Sequence, residues 1–299
     1  MKDTGSGVVL ASYGRGVLVE ADDAASGDET LRCSLKGRKQ RIVCGDRIAW
    51  AFQPTHDGAA VESIEPRRNL IERIDLRGRA EPVAANVDRL GIVVAPEPAA
   101  DWYVVDRYWA GARLKEIDAL LVVNKADLGL DEVRGELETY RSLGLPCIET
   151  ASQTGVGIAL LRTALEGSVT LLVGQSGVGK SSLVNALAPR AQAQTAELTR
   201  DAEGRHTTTT ARRYRLDRSS AIVDAPGVRD FAPPASVVRA AEMGFVEVHA
   251  ESAQCRFNDC RHMEEPACAV RAAVRAGGIA ARRYESYRRL VRLYEKLGV

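Results

Sequence analysis

Over the first 66 residues, apolar positions come in short runs broken by glycine and charged turns: Val17-Leu18-Val19, Leu31-Arg32-Cys33-Ser34-Leu35, Asp46-Arg47-Ile48-Ala49-Trp50 and Ala60-Val61-Glu62-Ser63-Ile64. Runs of this length between turn residues predict strands, and no stretch here carries the period of an amphipathic helix. About five strands without a helix fit a small closed barrel, which leaves no unpaired edge. An oligonucleotide-binding (OB) barrel is expected over residues 1–66, with a generic small barrel as the plainer alternative.

Between residues 67 and 234 the pattern changes. Strand candidates at 90–95, 119–123, 147–150, 169–173 and 221–224, most of them apolar runs, alternate with helical stretches, and a hairpin-like run at 212–216 precedes the last. Strands that are apolar on both sides belong to parallel sheets covered by helices, so this segment predicts an α/β domain. From 235 to 299 the chain turns helical and cysteine-bearing, and Tyr284, Tyr287, Val291 and Tyr294 repeat at helical spacing as a packing face. Three domains are expected, 1–66, 67–234 and 235–299.

Composition narrows the compartment and the partners. The apolar runs fall far short of the roughly 20 residues a membrane span needs. Residues 1–7 carry none of the basic, apolar and cleavage segments of a secretory signal, so a cytoplasmic protein with reduced thiols is expected. A net charge of +1 gives no global field for a polyanion, so nucleic-acid contact must come from local basic patches. One candidate is Lys36, Arg38, Lys39 and Arg41 on a single barrel loop, where a solvated charged hairpin is the alternative. The arginines at 282, 283, 288, 289 and 292 are a second candidate, against the same plain reading of an exposed helix face.

The chemistry lies in three segments and their order. Asn124-Lys125-Ala126-Asp127 comes first, Gly174-Gln175-Ser176-Gly177-Val178-Gly179-Lys180-Ser181 second, and Asp224-Ala225-Pro226-Gly227 third. The second segment sits between an apolar strand and a helical run that starts near Ser182, the context that makes a phosphate loop. Its glycines let successive N–H groups face phosphate oxygens, Lys180 would bridge the β and γ phosphates, and Ser181 with Asp224 would hold magnesium. Guanine is chosen by the first segment. Its two adjacent donors can both be accepted by one carboxylate, Asp127, while Lys125 lies along the base and Asn124 ties this loop to the phosphate loop. Ala151 and Ser152, after their own strand, are placed to supply an N–H to the guanine O6. The phosphate loop normally precedes the guanine loop, so the nucleotide domain is circularly permuted.

Gly227 offers an N–H to the γ phosphate in a switch segment. Val228, next to it, cannot orient water as a glutamine would. His206, in Gly204-Arg205-His206-Thr207-Thr208-Thr209-Thr210, is the candidate substitute, and Thr207 or Thr208 the further magnesium ligand. A loop histidine serving order or RNA contact is an equal reading of the residue alone. Near the C-terminus, Cys255, Cys260, His262 and Cys268 form a Cys-x4-Cys-x-His-x5-Cys cluster, whose four soft ligands suit a closed structural zinc site. Cys33, Cys44 and Cys147 are scattered in strand-like runs as small hydrophobes.

The motif order, the Gly-Arg-His-Thr-Thr-Thr run, the Gly-Gln-Ser-Gly-Val-Gly-Lys-Ser loop and the cysteine–histidine cluster together resemble the RsgA (YjeQ) family of bacterial GTPases. Leu35-Lys36-Gly37-Arg38 and Gly45-Asp46-Arg47 are similar to that family's barrel hallmarks, and Ala225 stands where the family usually has threonine. The resemblance implies a monomeric factor in late maturation of the small ribosomal subunit, contacting its rRNA and stimulated by the subunit. It also implies GTP hydrolysis to GDP with magnesium, one structural zinc, and His206 as the catalytic group. A non-enzymatic, GTP-gated RNA-binding module is the rival from another class. A permuted assembly GTPase of the large subunit is the rival within the class, disfavoured by the barrel-first, zinc-last order.

Overall fold

A computed structural model describes residues 4–13, 16–22, 30–35, 41–52, 58–74, 80–189, 211–225 and 238–297. Strand β1 (Thr4–Tyr13) pairs antiparallel with both β2 (Gly16–Ala21) and β4 (Arg47–Phe52). β3 (Thr30–Ser34) runs antiparallel to β2 and parallel to β5 (Ala59–Ile64), which returns to β4, so five strands close on themselves. Val9, Val17, Val19, Cys33, Ile48, Trp50 and Val61 alternate inward and fill the barrel. A bulge in β1 between Val9 and Ala11 bends the strand away, and Ala11 then pairs with Arg212 of the next sheet.

A hairpin of β6 (Leu70–Ile74) and β7 (Ala80–Ala85) follows, an element the hydrophobic pattern did not predict. The central sheet contains β8 (Arg89–Val94), β9 (Asp118–Val123), β10 (Cys147–Glu149), β11 (Val169–Gly174), β12 (Arg212–Arg215) and β13 (Ala221–Asp224). Its order is β10-β9-β8-β11-β13-β12, parallel except for β12. Helices α1 (Trp102–Leu114) and α2 (Asp131–Ser142) cover one face with Tyr108, Trp109, Val133, Leu137 and Tyr140. The other face is covered by α3 (Ile158–Ala164) and α4 (Lys180–Leu187), through Leu161, Leu183, Val184 and Leu187. The chain runs outward from β8 to β10 and then returns to lay β11 beside β8. That reversal opens a crevice at the strand carboxyl ends, where such sheets bind ligands. The permutation thus changes which loops are joined and leaves the crevice intact.

The barrel is not a loose appendage. Beyond the β1–β12 pairing, Glu20 accepts from Arg213 and Arg215 at 2.9 Å each, with Glu20 and Arg213 largely buried and Arg215 partly so. At the other end, α5 (Val238–Gly244), α6 (Val246–Ser252), α7 (Ala269–Arg275) and α8 (Ala281–Leu297) enclose a core of Ala241, Phe245, Val248, Tyr287, Leu290, Val291 and Tyr294. The tyrosine stripe of α8 is therefore packing.

The C-terminal helices dock on α1 through charge. Asp106, fully buried, accepts from Arg282 and Arg283 at 2.6 Å each and from the Tyr140 hydroxyl at 2.5 Å. Arg283 also pairs with Glu247 and lies 4.7 Å from the Phe245 ring centre and 4.9 Å from that of Trp109. Arg282 and Arg283, expected as candidates for phosphate, are instead spent inside the protein. Arg288, Arg289 and Arg292 gather around the half-exposed Glu285. No described helix is long and apolar enough to cross a membrane.

Candidate functional site

The loop from Gly174 to Gly179 joins β11 to α4 at the crevice. Gly179 has φ +91°, and a Cβ there would stand 2.3 Å from Asn124 Nδ2. Only glycine lets the turn close against the guanine-type loop. Lys180 donates to the carbonyls of Gly174 and Gln175 at 2.9 and 2.7 Å, curled over its own loop. Gln175, which the motif left without a role, bridges to the loop after β8: its Oε1 accepts from the Asp101 N–H at 2.8 Å and its Nε2 donates to the Ala99 carbonyl at 3.4 Å. Ser176, Gly177, Ser181 and Ser182 are exposed, while Val178 is buried beneath the loop.

Asn124, completely buried, organises the second half of the site. Its Nδ2 donates to the Val178 carbonyl at 3.0 Å, and its Oδ1 accepts from the Ser152 N–H at 3.2 Å and lies 3.3 Å from the Thr150 hydroxyl. Three loops that are distant in sequence are thereby held together by one amide, which has the donors and the acceptor this requires. Lys125, at φ +60°, sends its Nζ to the Glu97 carbonyl at 2.8 Å, and Ala126 donates to the Thr150 carbonyl at 3.0 Å. Asp127 stays exposed in the short turn Ala126–Leu128, and Ala151 is buried beneath. Replacing Gly179 with alanine must displace Asn124, so Gly179→Ala should weaken guanine-nucleotide binding by at least about tenfold, read by titration with a fluorescent GDP.

Asp224 ends β13 opposite Arg212. Burial raises its pKa, against the opposing pull of Lys180 and a hydrogen bond from Ser181. A half-buried carboxylate beside a hydroxyl is a hard-oxygen donor set of the kind magnesium takes, so Ser181 and Asp224 fit that ion. His206, Thr207, Thr208 and Gly227 lie outside the described residues, as do Lys36, Arg38 and Lys39. Arg41 is exposed, and its carbonyl accepts from Arg67 at 2.7 Å.

The metal-binding pattern converges in space. The ligand atoms of Cys255, Cys260, His262 and Cys268 all lie within 4.8 Å of one another. Cys255 Sγ is 3.9 Å from Cys268 Sγ, and His262 Nδ1 is 3.5 Å from each. A tetrahedral zinc with bonds of about 2.3 Å to sulfur and about 2.0–2.1 Å to nitrogen sets its ligands roughly 3.5–3.8 Å apart, so the cluster is compatible with zinc. His262 and Ala267 both adopt left-handed backbone, at φ +59° and +55°, which bends the ligand loop around the centre. Without a cation, burial pushes the Cys260 thiol up to about 12 and raises that of Cys268. Metal must displace those protons, so zinc affinity should rise with pH through the neutral range, as chelator competition at several pH values will read. Chelation should also expose residues 253–268 to hydrogen exchange while the central sheet keeps its protection. Cys33 and Cys44 are buried in strands and cores, with thiols pushed up to about 11 and about 12, and behave as inert hydrophobes.

The model of the RsgA GTPase family matches residues 64–233. The small ribosomal subunit biogenesis GTPase RsgA of Azotobacter vinelandii is 41% identical over 296 residues, 96% of this chain and 84% of that relative. The protein of the same description from Chromohalobacter salexigens is 39% identical over 290 residues, 95% of this chain and 85% of its own. The crystal structure of YjeQ from Thermotoga maritima aligns with a TM-score of 0.74 at 30% identity, covering 98% of both chains. YloQ, described as a circularly permuted GTPase, aligns with a TM-score of 0.72 over 98% of this chain and 96% of its own, at 22% identity, a likeness of fold alone. A family match over more than half of the chain and close identity along nearly all of it agree with the permuted site geometry: the chain belongs to the RsgA GTPase family and is a GTP hydrolase.

Proposed function

We propose that this GTPase acts in late maturation of the small ribosomal subunit, gripping its rRNA with the barrel and releasing after hydrolysis. The observation that carries the reading is the joining of guanine-type and phosphate loops by Asn124 at 3.0 Å, in a chain whose 41%-identical relative is described as a small-subunit biogenesis GTPase. Three units divide near residues 66 and 234. In this reading Asp127 pairs with guanine, and Lys125 and Ala126 frame the base with Ala151 and Ser152. Gly174 to Ser182 cradle the phosphates, with Lys180 drawing charge from the β and γ oxygens. Ser181, Asp224 and Thr207 or Thr208 would hold magnesium, which when bound would supply positive charge beside those oxygens. His206 orients the attacking water and takes its proton, the γ-phosphoryl group passes to that water, and GDP leaves with the bridging oxygen's electron pair. Gly227 reports the loss of the γ phosphate. Lys36, Arg38, Lys39 and Arg41 meet rRNA phosphates. The protein works as a cytoplasmic monomer.

Sedimentation with small subunits tests the cycle: the GTP-analogue form should bind at least about tenfold more tightly than the GDP form, and equal affinity would sink it. The barrel's route to the site is β12, since Glu20 holds Arg213 and Arg215 while Arg212 stands opposite Asp224. Glu20→Ala should therefore leave basal hydrolysis near wild type and cut subunit-stimulated hydrolysis by roughly fivefold or more.

A further inference from the structure

His262 presents two nitrogens to two environments. Nδ1 faces the thiols of Cys255 and Cys268, so it is the nitrogen available to a metal. Nε2 points the other way, 3.4 Å from Oε2 of Glu242. Glu242 belongs to none of the ligand segments: it sits on α5, twenty residues upstream. Its second oxygen, Oε1, is held 3.3 Å from Nδ1 of His249 on α6. Its side chain is 17% exposed, against 57% for His249, so the carboxylate is turned inward to the metal cluster. The backbone of the ligand loop is gripped separately by α8, where the Tyr284 hydroxyl donates to the His262 carbonyl at 2.6 Å and that of Tyr287 to the Arg261 carbonyl at 2.8 Å.

A carboxylate on the outer nitrogen of a zinc histidine holds the proton there, leaves the inner lone pair for the metal, and makes the imidazole a stronger ligand. We propose that Glu242 is a positioning residue of the zinc centre, fixing the tautomer and orientation of His262 and thereby tying α5 to the metal. Helix α5 is the first described element after the nucleotide-site strand β13, so this carboxylate joins the metal cluster to the part of the chain that leaves the GTPase sheet. Ring orientation comes from Glu242 and loop position from Tyr284 and Tyr287. The two are separable by mutation.

The test is zinc affinity of the full chain, by competition with a chromogenic chelator, together with the absorption spectrum of the cobalt-substituted protein. Glu242→Ala should loosen zinc by about 10- to 100-fold. Glu242→Gln, which keeps the shape and an acceptor but loses the charge, should fall between that variant and wild type, and its cobalt spectrum should shift. His249→Ala should stay close to wild type in both measurements, because its ring touches the carboxylate and not the cluster. Zinc affinity and cobalt spectrum unchanged in both Glu242 variants would overturn the assignment. So would an equal loss in His249→Ala, which would point to general packing of α5 against α6.

Discussion

Asp127→Asn is expected to reduce GTP affinity by about 100-fold while creating affinity for xanthosine triphosphate. Guanine offers two donors, which a carboxylate accepts as two charge-assisted hydrogen bonds worth roughly 1.5–3 kcal/mol each. An asparagine amide presents one acceptor and one donor, so one pairing becomes donor against donor. Xanthine carries an oxygen where guanine has its amine, and the same amide then matches it. Because Asp127 is exposed, while buried Asn124 carries the hydrogen bonds that join the loops among the described residues, the substitution leaves the site's frame standing. Titration of wild type and variant with labelled GDP, competed by GTP, ATP and xanthosine triphosphate, reads the exchange. Unaltered preference for guanine in the variant would mean that base choice lies elsewhere.

Asp106→Asn should destabilise the docking of the C-terminal helices by about 1.5–3 kcal/mol, the cost of losing a charged acceptor shared by two guanidiniums. Asp106 accepts from two guanidiniums at once in a place with no route to water, while Glu247 keeps its pair with Arg283 and Glu136 its pair with Arg282, so the variant loses hydrogen bonds without leaving either charge alone. Burial alone would lower the Arg283 pKa, but Asp106 and Glu247 more than reverse that and hold it above the usual guanidinium value. The arginine stays charged at any working pH and cannot relieve the loss by giving up a proton. Glu285→Ala, on the same helix but half exposed, removes three ion pairs and should cost under about 1 kcal/mol. Urea unfolding followed by hydrogen exchange of α8 separates the two. Equal effects would show that the Asp106 hub contributes no more than surface charge. Tyr140, the hub's third partner, lies in the last turn of the helix that follows the guanine-type loop, so loosening the hub should also raise nucleotide off-rates.

Much of this was legible from residue order. The strands at β8, β9, β11 and β13 are buried on both faces, and that demand writes itself as short runs dominated by Leu, Ile, Val and Ala. The phosphate and guanine-type loops were legible because backbone geometry there restricts residue type. β1 was harder to read: it opens on Gly5-Ser6-Gly7, a turn-like composition that closure between β2 and β4 overrides. The β6–β7 hairpin was missed because Glu72, Arg73, Glu81 and Pro82 interrupt the alternation of a ribbon that packs mainly through Ile71 and Ala84.

Side-chain roles fixed by distant partners left no local mark. Arg282 and Arg283 read as helix-surface charges until α1 supplied Asp106 from 176 and 177 positions away. Glu242 reads as any helical glutamate, since nothing at its own position announces a histidine twenty residues on. Gln175 sits within a motif that fixes its place but not its partners, which come from the loop the permutation moved to the front of the domain. Local periodicity records what an element buries, and such long-range polar pairs appear only once the elements are assembled.

The most direct test of the central claim is phosphate release from GTP and from ATP, alone and with purified small or large ribosomal subunits. The account predicts slow release from GTP alone, strong acceleration by small subunits only, and no release from ATP. Acceleration by large subunits instead, or GTP bound but not turned over with either, would contradict it.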